Sequence, residues 1–248
     1  MSGSLVVVGI GPGAAELRTP EVEQALARAQ DVLGYGPYLD RLAARAGQVR
    51  HPSDNREEIS RARHALTLAS AGRRVAMVSG GDPGVFGMAS AVFEAIEHGE
   101  AAWRDVGVRV LPGISAMFAA AARLGAPLGH DFCAISLSDN LKPWPVVTAR
   151  LLAAAQAGFV IALYNPQSRA RPWQLGAAFA LLRDVLPPAT PVAFASAISR
   201  PDERVALTTL ADADPAQADM RTLVLVGSRE TRRIAGTGWL YSPRSSQA

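Results

Sequence analysis

The sequence predicts an α/β fold in which helices cover parallel strands. Strand and helix signals alternate along the whole chain, which is typical of sheets whose strands are joined by helical crossovers. Two glycine clusters, at residues 9–13 and 80–84, each follow a short apolar run, at 5–8 and 75–78. Because glycine allows sharp turns and open α/β sheets bind ligands beyond the carboxyl ends of their strands, the clusters predict a small-molecule-binding enzyme.

The composition sets broad limits on the kind of protein. The 248 residues are 49% hydrophobic and 19% charged, which suits one large or two small globular domains. No window reaches the roughly 18 apolar residues of a membrane span, so no membrane association is expected. The net charge of +3 is too small to indicate a nucleic-acid partner.

Cysteine and histidine usage predicts the cellular compartment and argues against a metal site. The single cysteine, Cys133, excludes an intramolecular disulfide and favours a reducing environment. Residues 1–4 carry no charged n-region or cleavage pattern, so we expect no secretion signal and a cytoplasmic location. The histidines show no metal-ligand spacing among themselves or with cysteine, and no metal is expected.

The N-terminal half shows clear element boundaries. Thr19-Pro20-Glu21 combines a helix cap, a proline at the first position and an acid in the first turn. A second helix is predicted to be capped by Asp54-Asn55-Arg56-Glu57 and to bury Ile59, Ala62, Leu66 and Ala69. The predicted strands are 5–8, 31–33, 75–78 and 108–111, with further helices running to about 98 and from Ser115 to 124.

The C-terminal half is predicted to be a separate α/β domain. The breaker-rich segment 125–129 is the predicted link, which gives domains at 1–127 and 128–241 and a flexible tail at 242–248. No full helical pattern separates the last two strands, so this sheet is expected to be mixed. The predicted strands are 132–137, 159–164, 192–195, 204–207 and 222–226, with helices after Pro145 and over 173–186.

The first glycine cluster has two interpretations. Gly9-x-Gly11-x-x-Ala14 satisfies the dinucleotide fingerprint of a nicotinamide-dependent oxidoreductase. The next helix, however, begins near Thr19, so its N-terminus does not lie at a pyrophosphate, and no acid follows the second strand to bind a ribose. A tight turn without a ligand is the alternative.

The second cluster is more specific because Asp82 lies among its glycines. No lysine and Ser/Thr follow, as a phosphate loop would require. A carboxylate in this position suits a ligand with amino or hydroxyl groups and positive charge, such as S-adenosylmethionine. Alternatively, Asp82 caps the following helix.

Three motifs together resemble a known family. They are Gly9-Ile10-Gly11-Pro12-Gly13, then Gly81-Asp82-Pro83 with Phe86-Gly87, then Pro112-Gly113-Ile114-Ser115-Ala116. In this order they resemble the tetrapyrrole methyltransferases of cobalamin and sirohaem biosynthesis, over nearly the whole chain. The resemblance implies two α/β domains of the tetrapyrrole methylase type. It also implies S-adenosylmethionine in the cleft between them, S-adenosylhomocysteine as product, and a homodimer.

Further stretches resemble one branch of this family, whose members methylate C17 of the macrocycle and contract the ring. The counterpart that acts on a cobalt-containing intermediate is an open alternative, and an RNA or protein methyltransferase is a more distant one. The stretches are Gly34-Tyr35-Gly36-Pro37-Tyr38, Asp54-Asn55-Arg56-Glu57-Glu58, the run 129–139, and Tyr164-Asn165-Pro166 with Ser168-Arg169.

The resemblance also implies cofactor contacts. By motif these fall on Pro12, Gly80, Gly81, Asp82, Ser115 and Ala116. By strand position they fall on Asn165, Ala193 and Thr222. Relatives that methylate uroporphyrinogen carry an aspartate after the tyrosine that matches Tyr35; Gly36 stands there in this chain, so that role is not transferred.

Candidate catalytic and substrate-binding residues follow from the chemistry of a carboxylate-rich macrocycle. Ring contraction needs a proton acceptor, for which Asp82, Tyr35 and Asp139 are candidates. Asp54, Arg56, Lys142 and Arg169 are candidates for substrate binding. A helix cap for Asp54, a packed loop residue for Tyr35, a turn for Asp139 and a solvated surface for the cations are the structural alternatives.

Overall fold

A computed structural model describes residues 3–55 and 57–245. Contacts within the chain group it into two compact units, here called the N-terminal and C-terminal units, which divide between Ser115 and Ala116. Segment 125–129, predicted to link two domains, lies inside the C-terminal unit. The domain limits at 127 and 128 stay a prediction.

The N-terminal unit is built on one sheet of five parallel strands. Short 3-10 turns at Ala15–Leu17 and Ala101–Asp105 accompany its helices. The strands are β1 (Ser4–Gly9), β2 (Asp31–Tyr35), β3 (Val49–Ser53), β4 (Arg74–Ser79) and β5 (Gly107–Leu111). The helices are α1 (Pro20–Arg28), α2 (Gly36–Leu39), α3 (Glu58–Ser70) and α4 (Met88–His98).

The strand order β3-β2-β4-β1-β5 places a topological switch point between β1 and β4. The helix that follows β1 is α1, and it packs with α2 on the sheet face that carries Val8 and Val78. The helix that follows β4 is α4, and it packs with α3 on the opposite face, with Leu5 and Met77. Open α/β sheets bind ligands at the carboxyl edge of such a point, which is where both glycine clusters lie.

Helix α3 buries Ala62, Leu66 and Ala69 as predicted, but it differs from the prediction at one position. Ile59, predicted to be in the core, is 37% exposed, whereas Arg61 is buried. The Arg61 guanidinium donates to the Ser53 hydroxyl and to the Asp54 carbonyl oxygen, at 2.5 and 2.7 Å. Side-chain hydrogen bonds at the end of β3 therefore pull a charged residue inward, which apolar periodicity cannot indicate.

The C-terminal unit contains a second five-stranded sheet and a small three-stranded one. Its helices are α5 (Ala116–Leu124), α6 (Trp144–Gln156) and α7 (Gln174–Arg183), and a 3-10 turn spans Pro215–Gln217. The strands are β6 (Gly125–Ala126), β7 (Phe132–Ser136), β8 (Val160–Tyr164), β9 (Pro191–Ser196), β10 (Arg204–Thr209), β11 (Thr222–Val226), β12 (Arg232–Arg233) and β13 (Leu240–Tyr241).

The larger sheet is mixed, which confirms the prediction for the C-terminal half. Its order is β10-β9-β11-β8-β7, with β7 and β8 parallel and the other neighbours antiparallel. Helices α6 and α7 cover one face through residues such as Leu151 and Phe179. In the small sheet, β13 pairs with both β6 and β12.

The predicted flexible tail begins with an anchored residue. Ser242 is 4% exposed, and its hydroxyl donates to the Pro127 carbonyl oxygen at 2.6 Å. The same hydroxyl lies 2.9 Å from that of Thr231. The tail prediction is therefore wrong at Ser242, because these bonds tie it to the β6 segment; residues 246–248 lie outside the described residues.

A buried carboxylate lies at the amino end of the first sheet. Asp31 is 2% exposed, and its oxygens lie 2.5 Å from Arg73 Nε and 2.9 Å from His51 Nε2. Burial raises the pKa of Asp31, but the hydrogen bonds from Arg73 and His51 outweigh it and hold the pKa below its usual range. Ionised Asp31 therefore stabilises this end of the sheet.

We expect Asp31→Asn to lower the free energy of unfolding by about 1.5–3 kcal/mol at pH 7, the value of a hydrogen bond to a charged group. A depressed folded-state pKa gives stability above the unfolded pKa, about 3.9, that disappears as the pH falls through the folded value. The difference between wild type and variant should therefore shrink below about pH 4. Urea unfolding across pH measures it, with exposed Asp105→Asn as control; a gap that persists at low pH would contradict this account.

Candidate functional site

The loops after β1 and β4 are hydrogen-bonded directly to each other. Gly11 N–H donates to the Gly81 carbonyl oxygen at 3.2 Å, and Gly81 N–H donates to that of Gly11 at 3.0 Å. Both glycines have positive φ, +71° and +62°. The two glycine clusters that the sequence singles out therefore form one structural feature, because β1 and β4 are neighbours.

The loop after β5 joins them by a close backbone contact. A Cβ atom on Gly113 would lie 2.2 Å from the Gly81 carbonyl oxygen and 2.6 Å from that of Gly9. One on Gly9 would lie 2.6 Å from the Gly81 oxygen. These distances are far below van der Waals contact, so no side chain fits there. At Gly9 and Gly113, glycine is required by the contact between loops.

Asp82 bridges two of these loops through its carboxylate. One oxygen accepts the Gly84 N–H at 2.8 Å and the other accepts the Gly113 N–H at 3.0 Å. The helix-cap alternative is wrong, since Gly87 holds the cap position of α4 and the Ser79 hydroxyl accepts the Met88 N–H. The carboxylate therefore fixes the β4 loop against the β5 loop.

Two tyrosines lie beside this group of loops. Tyr35 ends β2, and its ring packs edge-on against that of Tyr38, with centroids 5.3 Å apart. A Cβ atom on Gly80 would lie 2.7 Å from Cζ of Tyr38, so the ring occupies the space that a side chain would need. Tyr35 is thus linked to the β4 loop through Tyr38.

The remaining candidate residues that the structure describes in the N-terminal unit lie at different places. Pro12 lies within the first loop, and Ser115 is 2% exposed in the segment after β5. Asp54 is exposed after the edge strand β3, where its N–H donates to Glu57 Oε2 at 3.1 Å. Its side chain is not the cap of α3, whose cap position is Glu57. Arg56 lies outside the described residues.

In the C-terminal unit, polar residues gather at one edge of the larger sheet. Because β7 and β8 are parallel, Ser136 and Tyr164 pair at their carboxyl ends. Asn165 follows with a φ of +51°, and its amide donates to the Ser136 hydroxyl at 3.0 Å. This left-handed conformation, which asparagine tolerates, turns the chain at the strand end.

Thr222 lies at the same edge, where antiparallel β11 begins opposite Ser196. Its hydroxyl donates to Asp219 Oδ1 at 2.8 Å and lies 2.5 Å from the hydroxyl of Ser196. Burial raises the pKa of Asp219, but the hydrogen bonds from Thr222 and the Arg221 N–H outweigh it and lower the pKa. The structure thus brings Asn165 and Thr222 to one edge.

Ala193 and Ala116 complete the predicted cofactor residues. Ala193 is fully buried in the middle of β9, between Leu207 and Leu225, so its side chain presents no surface to a ligand. Its contact with the cofactor stays a prediction. Ala116 is the first residue of α5, and the next N–H, of Met117, donates to the Tyr164 hydroxyl at 3.2 Å.

Asp139, Lys142 and Arg169 lie in the loops after β7 and β8. Asp139 Oδ1 accepts from Gln174 Nε2 at 3.1 Å and lies 3.9 Å from Arg171 Nη1. Burial, with a smaller effect of nearby Arg150, lowers the pKa of Lys142. Arg169 is exposed. Asp139 is therefore held by side chains, whereas Arg169 is open to solvent.

Sequence reasoning gave no role to several residues that shape these loops. Tyr38 and Ser136 lie in stretches that carried the resemblance, which is a usable signal, although neither received a role. Nothing in the sequence marks Arg41 or Gln174, because their partners are distant in the chain. Asp219 lies outside every motif, although its partner Thr222 is only three residues away.

Within residues 3–55 and 57–245, no group of three or more His, Cys, Asp or Glu side chains is placed to hold a metal ion. None of the helices in the same ranges is long and apolar enough to cross a bilayer.

A family model for tetrapyrrole (corrin/porphyrin) methylases matches residues 4–214. A precorrin-3B C(17)-methyltransferase of Sinorhizobium sp. is 61% identical over 98% of this chain and 97% of its own. A probable cobalt-factor III C(17)-methyltransferase of Salmonella typhimurium is 44% identical over 97% of this chain and 98% of its own. The crystal structure of the methyltransferase CobJ superposes with a TM-score of 0.94, at 52% identity, over 98% of this chain and 100% of that one.

Two α/β units, with glycine turns at the switch point of the first sheet, define an enzyme of the methyl-transferring class. The chain belongs to the tetrapyrrole (corrin/porphyrin) methylases. The predicted fold class and the resemblance are both confirmed. The alternative interpretation of the first glycine cluster, as part of a nicotinamide-dependent oxidoreductase, is therefore rejected.

Gly113→Ala should lower the free energy of unfolding by about 1–3 kcal/mol, because the added methyl overlaps two carbonyl oxygens that cannot both move. Gly107→Ala is the matched control in the same strand segment, since a Cβ atom there meets nothing within 4 Å. That control should be neutral or stabilising by up to about 1 kcal/mol. Equal denaturation midpoints for the two variants would contradict the close contact.

Asp82→Asn should free the loop after β5. The amide group leaves one oxygen, so either the Gly84 or the Gly113 N–H faces another donor, at a cost of about 1–3 kcal/mol. Hydrogen exchange of these two amides measures the effect and should accelerate. Exposed Asp40→Asn serves as control; unchanged exchange at both glycines in the Asp82 variant would show that the bridge is not needed.

Proposed function

We propose that this chain is the S-adenosylmethionine-dependent methyltransferase of cobalamin biosynthesis that methylates C17 of precorrin-3B and contracts its ring to give precorrin-4. The observation that carries the proposal is the 61% identity, over nearly the full length of both chains, to a precorrin-3B C(17)-methyltransferase. The similarity to the CobJ structure supports it.

The cobalt-factor III counterpart is the second candidate. It is favoured by a relative of that name at 44% identity, again over nearly the full length of both chains. The difference between 61% and 44% supports the metal-free substrate. An RNA or protein methyltransferase is the third candidate, and the net charge of +3 gives it no support.

The N-terminal part of the proposed donor site is the group of three loops after β1, β4 and β5. It contains Pro12, Gly80, Gly81 and Asp82, and Ser115 follows in the chain. The topology supports a ligand here, since this is the switch point of a parallel sheet. The loops also fit a rigid ligand cradle, because their backbones are hydrogen-bonded to each other.

The C-terminal part of the proposed donor site is the polar edge with Asn165 and Thr222, and Ala116 begins the helix anchored on Tyr164. We propose that residues of both units contact the donor, as the family resemblance implies. Ala193 is left out as a direct contact because it is fully buried.

When bound, S-adenosylmethionine supplies an activated methyl group that an electron-rich ring carbon takes up by in-line displacement. The protein's task in that step is to hold the acceptor carbon near the methyl, so no strong base is needed. The loops after β1, β4 and β5 suit this task, since their mutual hydrogen bonds limit reorganisation on binding.

Ring contraction, unlike methyl transfer, needs a proton acceptor. Among the three catalytic candidates, Asp82 already accepts two backbone N–H groups, which supports a positioning role. We therefore propose Asp139 or Tyr35 as the proton acceptor. Gln174 and Arg171 orient the Asp139 carboxylate.

The proposed substrate-binding residues complement the charge of the macrocycle. Lys142, Arg169 and Arg56 are cations that suit the carboxylates of a tetrapyrrole, and Asp54, two residues before Arg56, is an exposed acid. We further propose a homodimer, as the family resemblance implies, and a cytoplasmic enzyme with no nucleic-acid or membrane partner, as the composition predicts.

Incubation with labelled S-adenosylmethionine and either precorrin-3B or cobalt-factor III, followed by mass analysis of the pigment, tests the proposal. With precorrin-3B we expect one added methyl by mass and, by NMR of the same pigment, a contracted ring from which the C20 carbon has been extruded. A methyl gained without contraction would refute the dual activity. Turnover of the cobalt compound alone would move the assignment to the second candidate, and labelling of RNA alone would move it to the third.

A further inference from the structure

The segment from Tyr35 to Arg41 lies against both glycine loops of the N-terminal unit. It overlaps the stretch Gly34-Tyr35-Gly36-Pro37-Tyr38, which carried the resemblance to one branch of the family and in which only Tyr35 has a predicted role. Two of its side chains, Tyr38 and Arg41, contact the loops on which the proposed donor site is built.

Arg41 holds the carbonyl side of the first loop. Its Nη2 atom lies 3.0 Å from the carbonyl oxygen of Gly11, 3.1 Å from that of Gly13 and 3.4 Å from that of Ile10. In a trans peptide the N–H points opposite to the carbonyl. The Ala14 N–H, which shares a peptide with the Gly13 carbonyl, is therefore turned away from Arg41. One cation thus fixes the orientation of successive peptides.

Arg41 is itself held in place by its neighbours. Arg18 donates to the Arg41 carbonyl oxygen at 3.1 Å, and the Arg18 side chain is 9% exposed and paired with Glu23 at 2.7 Å. The guanidinium carbon of Arg41 lies 5.9 Å from the centre of the Tyr38 ring, within cation–π range. These contacts therefore hold Arg41 in the position from which it binds the loop after β1.

Tyr38 holds the second loop by occupying the space over Gly80. A Cβ atom there would approach the ring to 2.7 Å and the hydroxyl oxygen to 2.9 Å, so the ring rests on bare backbone. Tyr38 lies within the single helical turn α2, and Arg41 directly follows its cap residue, Asp40. The same short segment thus fixes the loops after β1 and β4, which are also hydrogen-bonded to each other.

We propose that Arg41 is a positioning residue for the donor-binding loops, and that Tyr38 completes the same device from the other loop. This inference rests on the proposed binding of S-adenosylmethionine. Holding a loop in its binding conformation raises affinity by lowering the ordering cost of binding. The effect should fall on donor and product affinity, because these loops form part of the proposed donor site.

The first test compares Arg41→Gln with Arg45→Gln. Both remove one positive charge from the same stretch, but Arg45 pairs with Glu23 at 3.1 Å instead of with the loop. Calorimetry with S-adenosylhomocysteine should show about tenfold weaker binding for Arg41→Gln and less than about twofold change for Arg45→Gln. The KM for the donor should rise similarly, with kcat changed less than about threefold.

A chemical-rescue experiment separates this role from a general loss of structure. In Arg41→Gly, low-millimolar guanidinium should restore most of the lost affinity, whereas tetramethylammonium, which carries the charge but has no N–H donor, should not. Arg41→Lys should lie between wild type and Arg41→Gln. If Arg41→Gln proves unstable, Arg41→Lys and Tyr38→Leu are measured instead, and a rise in KM is still expected.

The outcomes separate this inference from the proposed function. Wild-type protein that fails to bind S-adenosylhomocysteine would overturn both. Wild-type binding with equal affinity in folded Arg41→Gln or Arg41→Lys would overturn the positioning role alone. A variant that loses kcat at unchanged KM would also overturn it, because Arg41 would then act on the chemical step.

Discussion

The N-terminal unit depends on a contact between main chains. Backbone atoms of the turns after β1, β4 and β5 approach so closely that a single added carbon at Gly9 or Gly113 would overlap a carbonyl oxygen. Such approach is available only to residues without a Cβ. Asp82 then ties two of the turns together with one carboxylate. The geometry of any ligand bound there is set by this contact.

Topology explains why the contact lies where it does. Strands β1 and β4 are neighbours, yet the helices that follow them cover opposite faces of the sheet. The chain therefore runs from these two strands to opposite faces of the sheet. The two helices do not separate the turns that follow β1 and β4, and these turns contact each other. The C-terminal unit uses its mixed sheet differently: parallel and antiparallel strands bring Ser136, Asn165 and Thr222 to one edge as polar side chains.

Glycine motifs in this protein have a protein-internal explanation before a ligand is considered. Gly9 and Gly113 are required by neighbouring loops, and Gly80 by the ring of Tyr38. The glycines of a family motif can thus be required by the packing of loops as well as by the binding of a ligand. The contact between the Tyr38 ring and Gly80 also gives a physical reason for the tyrosine in the stretch 34–38, which carried the resemblance.

The sequence by itself determined the fold class, the positions of most strands, the turns that matter and the family, because short apolar runs, helix caps and glycine clusters are local signals. Only the tertiary structure decided that Arg61 is buried and Ile59 exposed, that Ala193 is fully buried, and that Asp82 bridges loops instead of capping a helix. The same is true of Arg41. Its partners are carbonyl oxygens about thirty positions earlier in the chain, and backbone acceptors leave no trace in the residue types that surround them.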